Sequence, residues 1–583
     1  MCDGIEDREC AVCHGEATQR CSACHAAYYC SFEHQKQHWK SHRRQCLPVI
    51  VAQRDPGRVP YWVAGRDIKP GSSILKEAPA LRWPAWPRLN GNNFNLVPCL
   101  TCGKFLQFQT PEWQPCSLCG WPVCSTECEQ ASIHKDGECT DFVTHGIAFP
   151  PKTGRDLSKM LDYTIALIRM SKLKVTNLKK YEEILTLCPE PAVIHDTKHL
   201  ALFHEILMRF SCFLNRNVRF LMSYPELRQA IWVLKLNRFS CSREGEIDFP
   251  GEGPENIGMN CIYLKTSLLS KSCSPNCSHA ISPMPPDFSM VVRAAVLIRE
   301  EEPLTIVRRG GDAMPTVRRQ KELRQQFEFI CQCKRCIDPT ELNTYMSAMV
   351  CPACRKINGR DKNPGYMLPV DPLSVSDTAV WKCNSCEEIV TAADFLPGIY
   401  ELADAISEDV EDVELFEEIV RVNSNNFLHP NHWVLQMAIS GILDYYQENG
   451  CPLQNIKHFT ELTLYRMNIE DVLNPGISFN RANFQRDYLI VIWPIIEGQF
   501  MQNAESARNK FSEEIRICMN FVYEAHRYFE LFQSSLSDGE FNLKVLTAMK
   551  SSMESMNEEE DPSEKMATLS IEANYEAGTA MES

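Results

Sequence analysis

The chain has 583 residues and a formal net charge of −15, with 44% hydrophobic and 23% charged residues. This length predicts three or four domains, and the balance of residues is ordinary for a globular protein. An acidic chain does not suit general nucleic-acid binding, which needs clustered Lys and Arg to displace counterions.

The sequence contains no run of about 18 apolar residues and no apolar stretch near its first residues. We therefore expect neither a transmembrane helix nor a secretory signal, and we expect an intracellular protein. In that setting the 29 cysteines indicate metal sites rather than disulfides. We assign 21 of them to the groups below, and we expect the remainder to be ordinary thiols: Cys2, Cys188, Cys212, Cys241, Cys261, Cys277, Cys451 and Cys518.

Residues 10–46 carry eight potential zinc ligands in four spaced pairs. A cross-brace, the usual arrangement for such a series, would divide them between two ions. One set would be Cys10, Cys13, Cys30 and His34, and the other Cys21, Cys24, His42 and Cys46. His38 is a competing ligand. The spacing after Cys30 suits a short helix with ligands on one face, and so small a finger has too little core to fold without metal.

Residues 50–97 are typical of short strands, with a turn at Pro70-Gly71. A second series of eight ligands follows in residues 99–139, and alternation along the chain again predicts two zinc ions, with the exact pairing left open. The ligands are Cys99, Cys102, Cys116, Cys119, Cys124, Cys128, His134 and Cys139.

Two apolar patterns between residues 155 and 240 predict helices. In the first, a mainly apolar set recurs at intervals of three and four: Leu157, Met160, Leu161, Thr164, Ile165 and Ile168. The second runs from Leu200 to Met222. Strand patterns return in residues 256–310, on both sides of the loop Ser267–Cys277.

Two further cysteine groups lie after this loop. Cys331, Cys333 and Cys336 cannot complete a tetrahedral zinc site alone, and Cys273 in the loop is the best-placed fourth ligand. The doublets Cys351-x2-Cys354 and Cys383-x2-Cys386, with Trp381 nearby, are typical of a zinc ribbon.

The chain from about residue 395 to 555 has a helical pattern throughout, clearest in Trp433–Tyr446 and Ala504–Phe532. After about residue 553 the sequence is acidic and poor in core residues, so we expect a disordered tail.

These motifs together resemble the SET and MYND domain-containing (SMYD) family, and most of all its arthropod, SmydA-like branch. The first finger, with Tyr29-Cys30-Ser31 and Trp39, resembles a MYND finger. Ser272-Cys273-x-Pro275-Asn276, followed by Phe329 and the three cysteines, resembles the end of a SET domain and its post-SET zinc clip.

The resemblance implies an α+β multidomain protein with a split SET-type β-fold and about six zinc ions. The implied order is an N-terminal MYND finger (1–48), the first SET part (49–98), a second MYND-like finger (99–140), a helical insert (141–255), the second SET part (256–325), the post-SET clip (326–340), a zinc ribbon (341–394), a helical, TPR-like C-terminal domain (395–552) and the tail (553–583).

The family also implies lysine methylation from S-adenosylmethionine, but several positions depart from its pattern. The Gly-x-Gly turn is replaced by a segment with one misplaced glycine, Gly57, and the Asn-His pair that contacts the cofactor is Ser270-Lys271. Arg308 and Phe327 stand where two tyrosines are expected, whereas Phe329, which stacks beside the adenine in the family, is retained.

The arginine would oppose an incoming lysine ammonium. Two like charges at about 4 Å repel by about 4 kcal/mol at an effective dielectric constant of about 20. An alignment shift of one or two residues, or a substitute hydroxyl from Tyr61 or Tyr263, is the alternative interpretation.

Two functions follow from these residues. The first hypothesis is a protein-interaction scaffold with lost or weak activity, whose MYND fingers bind proline-containing corepressor peptides in transcriptional repression. The second is an active protein-lysine N-methyltransferase with a rearranged pocket. DNA binding is the least favoured, because the basic runs are short. We expect no membrane partner and a location in the nucleus, the cytoplasm or both.

Overall fold

The structure is a computed structural model. It describes residues 9–21, 27–46, 49–52, 61–86, 96–107, 115–149, 155–187, 222–241, 258–282, 285, 287–307, 314–327, 329–358, 365–408, 412–533 and 539–558. The predicted helix over Leu200–Met222 lies outside these residues, except for its last residue.

The N-terminal finger is a small unit. Strands β1 (Gln19–Arg20) and β2 (Tyr28–Tyr29) pair antiparallel and are followed by helix α1 (Phe32–Cys46). Its buried cluster consists of Cys10, Cys21 and Tyr29, so ligand cysteines make up most of its core. This agrees with the expectation that metal, rather than apolar packing, holds the finger together.

The central β-structure combines strands from two distant parts of the chain. The first part contributes β3 (Val49–Ala52), β4 (Tyr61–Ala64), β5 (Ser73–Glu77) and β6 (Leu81–Pro84). The second contributes β9 (Phe239–Ser240), β10 (Met259–Ile262), β11 (Ser270–Lys271), β12 (Cys277–Ile281), β13 (Met290–Ala294) and β14 (Thr305–Ile306).

Cross-pairing joins these two parts. Strand β13 lies between β12 and β5, and β10 lies between β6 and β9, all antiparallel. Strands β11 and β14 pair in parallel, with Ser270 opposite Thr305 and Lys271 opposite Ile306. Apolar side chains from both parts, including Ile74, Met259, Val292 and Leu304, share one buried cluster.

The segment between the two parts holds the second finger and a helical layer. The finger contains β7 (Leu96–Pro98), β8 (Phe105–Gln107), α2 (Thr126–Gln130), a wide helical turn (Ile133–Cys139) and α3 (Thr140–His145). The layer consists of α4 (Arg155–Thr176), α5 (Leu178–Leu185) and α6 (Tyr224–Asn237). The pattern of apolar residues correctly predicted α4, since Leu161, Ile165 and Ile168 are buried on one face of it.

The clip and the ribbon follow the β-structure. Cys331 and Cys333 lie between helices α7 (Thr316–Phe327) and α8 (Lys334–Ile337), and Cys336 lies within α8. Helix α9 (Pro352–Asn358) and the antiparallel strands β15 (Met349–Val350), β16 (Tyr366–Pro369), β17 (Val380–Cys383) and β18 (Ile389–Thr391) form the ribbon. The long spacer between its two cysteine doublets thus contains a strand, β16, and the start of β17.

The C-terminal domain is helical, as predicted. It contains α10 (Leu396–Glu408), α11 (Val413–Asn423), α12 (Trp433–Asn449), α13 (Ile456–Leu473), α14 (Phe479–Gln502), α15 (Ala504–Lys510), α16 (Ser512–Phe532) and α17 (Gly539–Glu558). The predicted helix over residues 504–532 is interrupted at Phe511, whose side chain is buried in the core. The domain packs against the β-structure, where the backbone amide of Ile477 donates to the carbonyl of Ala295 at 2.9 Å.

The predicted tail begins too early. Helix α17 continues to Glu558, past residue 553, because Met553 is buried in the apolar core of the helical domain. Residues 559–583 lie outside the described part of the chain.

Candidate metal centres and cofactor region

Five groups of four side chains bring their sulfur or ring-nitrogen atoms within 4.8 Å of one another. In a tetrahedral zinc site with Zn–S bonds of about 2.3 Å, neighbouring sulfurs lie about 3.8 Å apart. The ligand sets therefore have the size and the donor chemistry that zinc requires.

The N-terminal group consists of Cys10, Cys13, Cys30 and His34. The Sγ atom of Cys30 lies 3.0 Å from Nδ1 of His34 and 3.6 Å from Sγ of Cys13. Cys30 directly follows strand β2, and α1 places His34 about one turn later. The structure thus assembles one of the two sets that the cross-brace predicts.

The second predicted set in this finger is only partly described. Cys21 and His42 are buried, whereas Cys24 and the side chain of Cys46 lie outside the described residues. The competing ligand His38 stacks on the ring of His42 at 5.4 Å, and its Nδ1 is 3.2 Å from the hydroxyl of Tyr29. His38 therefore stays a competing ligand.

The second finger contains two groups, and the chain alternates between them. One consists of Cys99, Cys102, Cys124 and Cys128, and the other of Cys116, Cys119, His134 and Cys139. Cys102 and Cys124 lie 3.4 Å apart, and Cys116 and Cys139 lie 3.8 Å apart, measured between sulfurs. The structure thereby supplies the pairing that the spacing left open.

A buried network behind the second group was not anticipated. Nδ1 of His134 lies 3.1 Å from Oε1 of Glu138, and the Arg169 guanidinium donates to both oxygens of this carboxylate, at 2.7 and 2.9 Å. Burial acts to raise the pKa of Glu138, but Arg169 and His134 outweigh it and lower this pKa. An ionised carboxylate that orients a ligand histidine is a common support for zinc.

The same arginine ties the finger to the rest of the fold. Its Nη1 and Nη2 atoms donate to the backbone carbonyls of Arg82 in β6 and Leu100 in the finger, both at 2.7 Å. The His-x3-Glu spacing of His134 and Glu138 is a helical signal that could have indicated the carboxylate. No local signal identifies Arg169, which is 31 residues away from Glu138.

In the clip, the predicted fourth ligand is in place. The Sγ atom of Cys273 lies 3.9 Å from that of Cys331 and 3.7 Å from that of Cys336, and Cys333 completes the group. A single bonded ion at this position would fasten the central loop to the segment after α7.

A second buried network supports the clip. Glu341 accepts from Arg319 at 3.0 Å and lies 3.3 Å from Arg335, and the Arg319 Nη2 atom is 3.5 Å from Sγ of Cys336. Burial acts to raise the pKa of Glu341, yet the two guanidinium groups hold it at about 2. These three residues were not identified from the sequence, because their roles depend on contacts across the clip.

The ribbon group consists of Cys351, Cys354, Cys383 and Cys386. The sulfurs of Cys351 and Cys386 are 3.6 Å apart, and those of Cys354 and Cys383 are 3.8 Å apart. A Cβ atom at Gly365 would lie 2.5 Å from Sγ of Cys383, so the chain passes the group at a distance that only glycine allows.

Ser270 and Lys271, expected near the cofactor, both lie on β11 beside β14. The Lys271 ammonium lies over the ring of Phe239, 4.7 Å from its centroid. The His279 ring is 5.9 Å from the same ring, and its pKa is lowered to about 4 by burial and by the charge of Lys271. The lysine is thus directed toward an aromatic cluster within the fold.

Of the expected catalytic positions, the structure describes only some. Arg308 and Gly57 lie outside the described residues. Phe327, at the end of α7, and Phe329 both pack against the buried clip cluster that contains Cys273. The hydroxyl of Tyr263 is buried and donates to the carbonyl of Phe288 at 2.5 Å. It therefore makes a hydrogen bond within the core and does not serve as the substitute hydroxyl.

Comparisons with known proteins identify a MYND finger, and relatives that are named as a methyltransferase or as a SET domain protein. The family model "MYND finger" matches residues 10–46. The chain is 24% identical over 376 residues to "Histone-lysine N-methyltransferase ASHR1" of Arabidopsis thaliana, covering 61% of this chain and 70% of that protein. It is 26% identical over 337 residues to "SET domain-containing protein SmydA-8, isoform A" of Drosophila melanogaster, covering 56% of this chain and 62% of that protein.

The alignment with the Drosophila protein therefore spans less than two thirds of that relative. A solved structure, "Crystal structure of the SET domain of LSMT bound to Lysine and AdoHcy", is 12% identical and covers 82% of this chain and 95% of that chain. Its TM-score of 0.21 is too low to bear on the fold or the function.

Within the described residues, no helix is both long and apolar enough to cross a membrane.

The MYND match, the curated relatives and the assembled ligand groups together confirm the predicted resemblance: the chain is a methyltransferase-like protein with zinc fingers, similar to the SmydA-type proteins of the SET and MYND domain-containing family.

Proposed function

We propose that this protein is a zinc-dependent protein-interaction scaffold built on a SET-like fold, with methyl transfer lost or weak. The observation that carries the proposal is the Lys271 ammonium, which lies over Phe239 where the family places a cofactor-binding histidine. S-adenosylmethionine carries a positive sulfonium, and a fixed cation in its binding region opposes it. Phe327, without a hydroxyl, adds a second obstacle to catalysis.

The five assembled groups, together with Cys21, Cys24, His42 and Cys46, would bind six zinc ions in all. Each described group offers four thiolate or imidazole donors, the number that closed structural sites use. The ligand pairs close loops that have little apolar core of their own, so zinc would supply much of their folding free energy.

The N-terminal finger offers the surface for a partner. On α1, Phe32 is 66% exposed and Trp39 45% exposed, and Lys36 and Lys40 are exposed nearby on the same helix. Aromatic residues in a groove are what proline-containing peptides recognise, as they do in the MYND fingers of the family. Trp39 also contacts His42 edge-to-face at 6.1 Å, so it has a packing role as well. Transcriptional repression is the biological setting we propose, with a location in the nucleus, the cytoplasm or both.

Calorimetry of S-adenosylmethionine against the zinc-loaded chain tests the lost activity directly. We expect no detectable heat of binding once zinc occupancy has been established by mass spectrometry. Binding at micromolar affinity or tighter would contradict the proposal that the cofactor pocket is lost.

A pull-down of a proline-containing peptide array with the Trp39→Ala variant tests the scaffold. We expect Trp39→Ala to abolish capture with only a small fall in melting temperature, because this half-exposed side chain loses little more than its edge-to-face contact with His42. Capture that survives both Trp39→Ala and zinc removal would contradict the scaffold proposal.

An active protein-lysine N-methyltransferase is the second candidate, and the hydrogen bonds around Asn276 favour it. Its side chain accepts from the backbone amide and the hydroxyl of Thr305 at 2.8 and 2.9 Å and donates to the carbonyl of Pro303 at 3.0 Å, so the loop and β14 keep an ordered arrangement. The ASHR1 relative, by its name, methylates histone lysine.

The double variant Arg308→Tyr with Phe327→Tyr separates the two candidates. Methylation of histone lysine that appears only in the double variant identifies a degenerate enzyme. Methylation by the unmodified chain identifies an active one.

A further inference from the structure

A cavity of about 620 Å³ lies where the zinc ribbon meets the first helices of the C-terminal domain. Its walls come from β15 and α9 of the ribbon, from α10, and from the segment after α11. This volume is within the range of pockets that hold small ligands, about 300–1,000 Å³, and exceeds that of any one side chain. None of the zinc ligands lines it.

The walls are apolar and well supported. Ile399 and Leu428 are buried, and Phe395 packs edge-to-face on the ribbon residue Trp381 at 5.0 Å. The backbone amide of Val350 donates to the carbonyl of Phe427 at 2.9 Å, which joins the ribbon to the segment after α11. The cavity is therefore framed by backbone pairing and not by loose side chains.

Phe427 forms an open aromatic wall. Its side chain is 53% exposed although it lines the cavity, and the Arg355 guanidinium lies over its ring at 4.5 Å. The same guanidinium donates to the carbonyl of Asn426, so the arginine holds the ring in one orientation. An exposed, oriented aromatic ring at the mouth of an apolar cavity is a suitable surface for an apolar side chain of a ligand.

The polar groups at the cavity indicate the chemistry of that ligand. Arg355 and the exposed Lys356 place two positive charges on one rim, whereas the lining carboxylate of Asp394 already accepts from the amide and the hydroxyl of Thr391, at 2.6 and 2.7 Å. The rim thus offers positive charge for a carboxylate beside an apolar space.

We propose that this cavity binds a short segment of a partner protein that carries an apolar side chain next to an Asp or Glu. The apolar side chain fills the space beside Phe395 and Phe427. The carboxylate pairs with Lys356 and Arg355. A peptide supplies both elements at the spacing of neighbouring residues, which an apolar metabolite does not.

The site is separate from the cofactor region and from the N-terminal finger. The inference therefore holds whether or not the SET-like fold binds S-adenosylmethionine. Peptide binding here and S-adenosylmethionine binding are measured separately, so failure of this proposal and failure of the proposed function can be told apart.

Fluorescence polarisation on the full, zinc-loaded chain tests the proposal. The probes are labelled, end-capped hexapeptides that combine one Leu or Phe with Asp or Glu, and matched peptides in which Lys replaces the acidic residue. We expect the acidic set to bind with a Kd below about 100 μM and at least about tenfold tighter than the basic set.

Gly398→Leu fills the cavity from α10. A Cβ atom at Gly398 meets nothing within 4 Å, and leucine favours a helix more than glycine does, so this variant keeps its fold. We expect Gly398→Leu to weaken binding at least about tenfold and Lys356→Glu to remove the preference for acidic peptides. Gly498→Leu in α14 is the matched control, because a Cβ atom there also meets nothing within 4 Å, and it should bind like the unmodified chain.

Three outcomes would overturn the proposal. The first is a peptide set that shows no binding below about 1 mM. The second is equal binding by Gly398→Leu and Gly498→Leu. The third is a change in the sedimentation of the chain on Gly398→Leu, which would assign the cavity to a second copy of the protein.

Discussion

The two fingers use the same kinds of ligand in different settings. The N-terminal finger has a buried cluster of only Cys10, Cys21 and Tyr29, and its helix exposes Phe32 and Trp39. In the second finger, Leu100 and Trp121 belong to the large apolar cluster that also contains the helices after it. One finger thus presents a surface, whereas the other is part of the core.

The difference shows that ligand spacing alone does not reveal what a zinc site is for. The Glu138 carboxylate and the Arg169 guanidinium link the second finger to β6 and α4, so losing its metal should disturb the whole SET-like fold. For the first finger, the structure describes no comparable buried ion pair. Three experiments test this distinction and a fourth concerns the C-terminal helices; they follow in order of decreasing expected effect.

Replacing one ligand in each finger gives the largest contrast. We expect Cys116→Ala to lower the free energy of unfolding of the central domains by about 5 kcal/mol or more, since it breaks a metal site next to their core. Cys13→Ala should remove zinc from the first finger and leave the main melting transition in place. Calorimetric melting with zinc counting distinguishes them, and equal losses in the two variants would contradict the comparison.

Removing the buried carboxylate should cost somewhat less. In Glu138→Ala the Arg169 guanidinium keeps its burial but loses its anionic partner, which typically costs about 3–5 kcal/mol. Zinc affinity of the second finger should fall about 10–100-fold, because His134 is no longer oriented. Asp136→Ala, at an exposed carboxylate in the same turn, is the control for both denaturation and zinc titration. An equal loss of stability and of zinc affinity in Asp136→Ala would contradict a specific role for Glu138.

Substitutions at two glycines of the second finger test how closely the finger packs against the central β-structure. Gly103 and Gly120 both have positive φ, at 78° and 73°, but a Cβ atom at Gly103 would lie 2.5 Å from the carbonyl oxygen of Gly258, whereas one at Gly120 meets nothing within 4 Å. Both alanine variants carry the same backbone strain, so Gly103→Ala should cost about 1–3 kcal/mol more in denaturant unfolding. Equal losses of unfolding free energy in the two variants would mean that the finger is not packed tightly against Gly258, the residue before β10.

The C-terminal helices provide a comparison without metal. Burial lowers the pKa of His432 to about 3, with Glu341 raising it slightly and His429 lowering it, and the Nδ1 atom of His432 accepts from Val434 at the start of α12. Because the folded pKa lies below the unfolded value of about 6.5, this histidine's contribution to stability is complete above pH 6.5 and is lost as the pH falls toward 3.

Between pH 7.5 and 5.5 the wild type should therefore lose about 1.4 kcal/mol more than His432→Asn, which keeps a capping side chain but does not titrate. Chemical denaturation of both proteins at the two pH values measures this difference. Proton effects on the zinc sites cancel between them, and parallel curves would show that His432 is accessible to protons in the folded state.

Short-range chemistry was readable from the sequence. The ligands of each finger lie within about forty residues of chain, and a tetrahedral ion needs donors at narrow spacings. The ligands around Cys10, Cys99 and Cys351 could therefore be predicted, whereas the exact pairing in the second finger could not. Helix α4 could be predicted because its apolar residues recur with the helical period. The link from Cys273 to the clip spans 58 residues, and it was predicted because three closely spaced cysteines need a fourth ligand.

Only the tertiary structure determined the contacts made across long distances in the chain. Arg169 meets Glu138, Lys271 meets Phe239, and the ribbon meets α10 to enclose the cavity, and in each case the two partners belong to different elements. Local spacing specifies which donors can share an ion, because those donors are close in sequence. Burial, charge pairing and cavities depend instead on how separate elements pack together, and no local pattern records that packing.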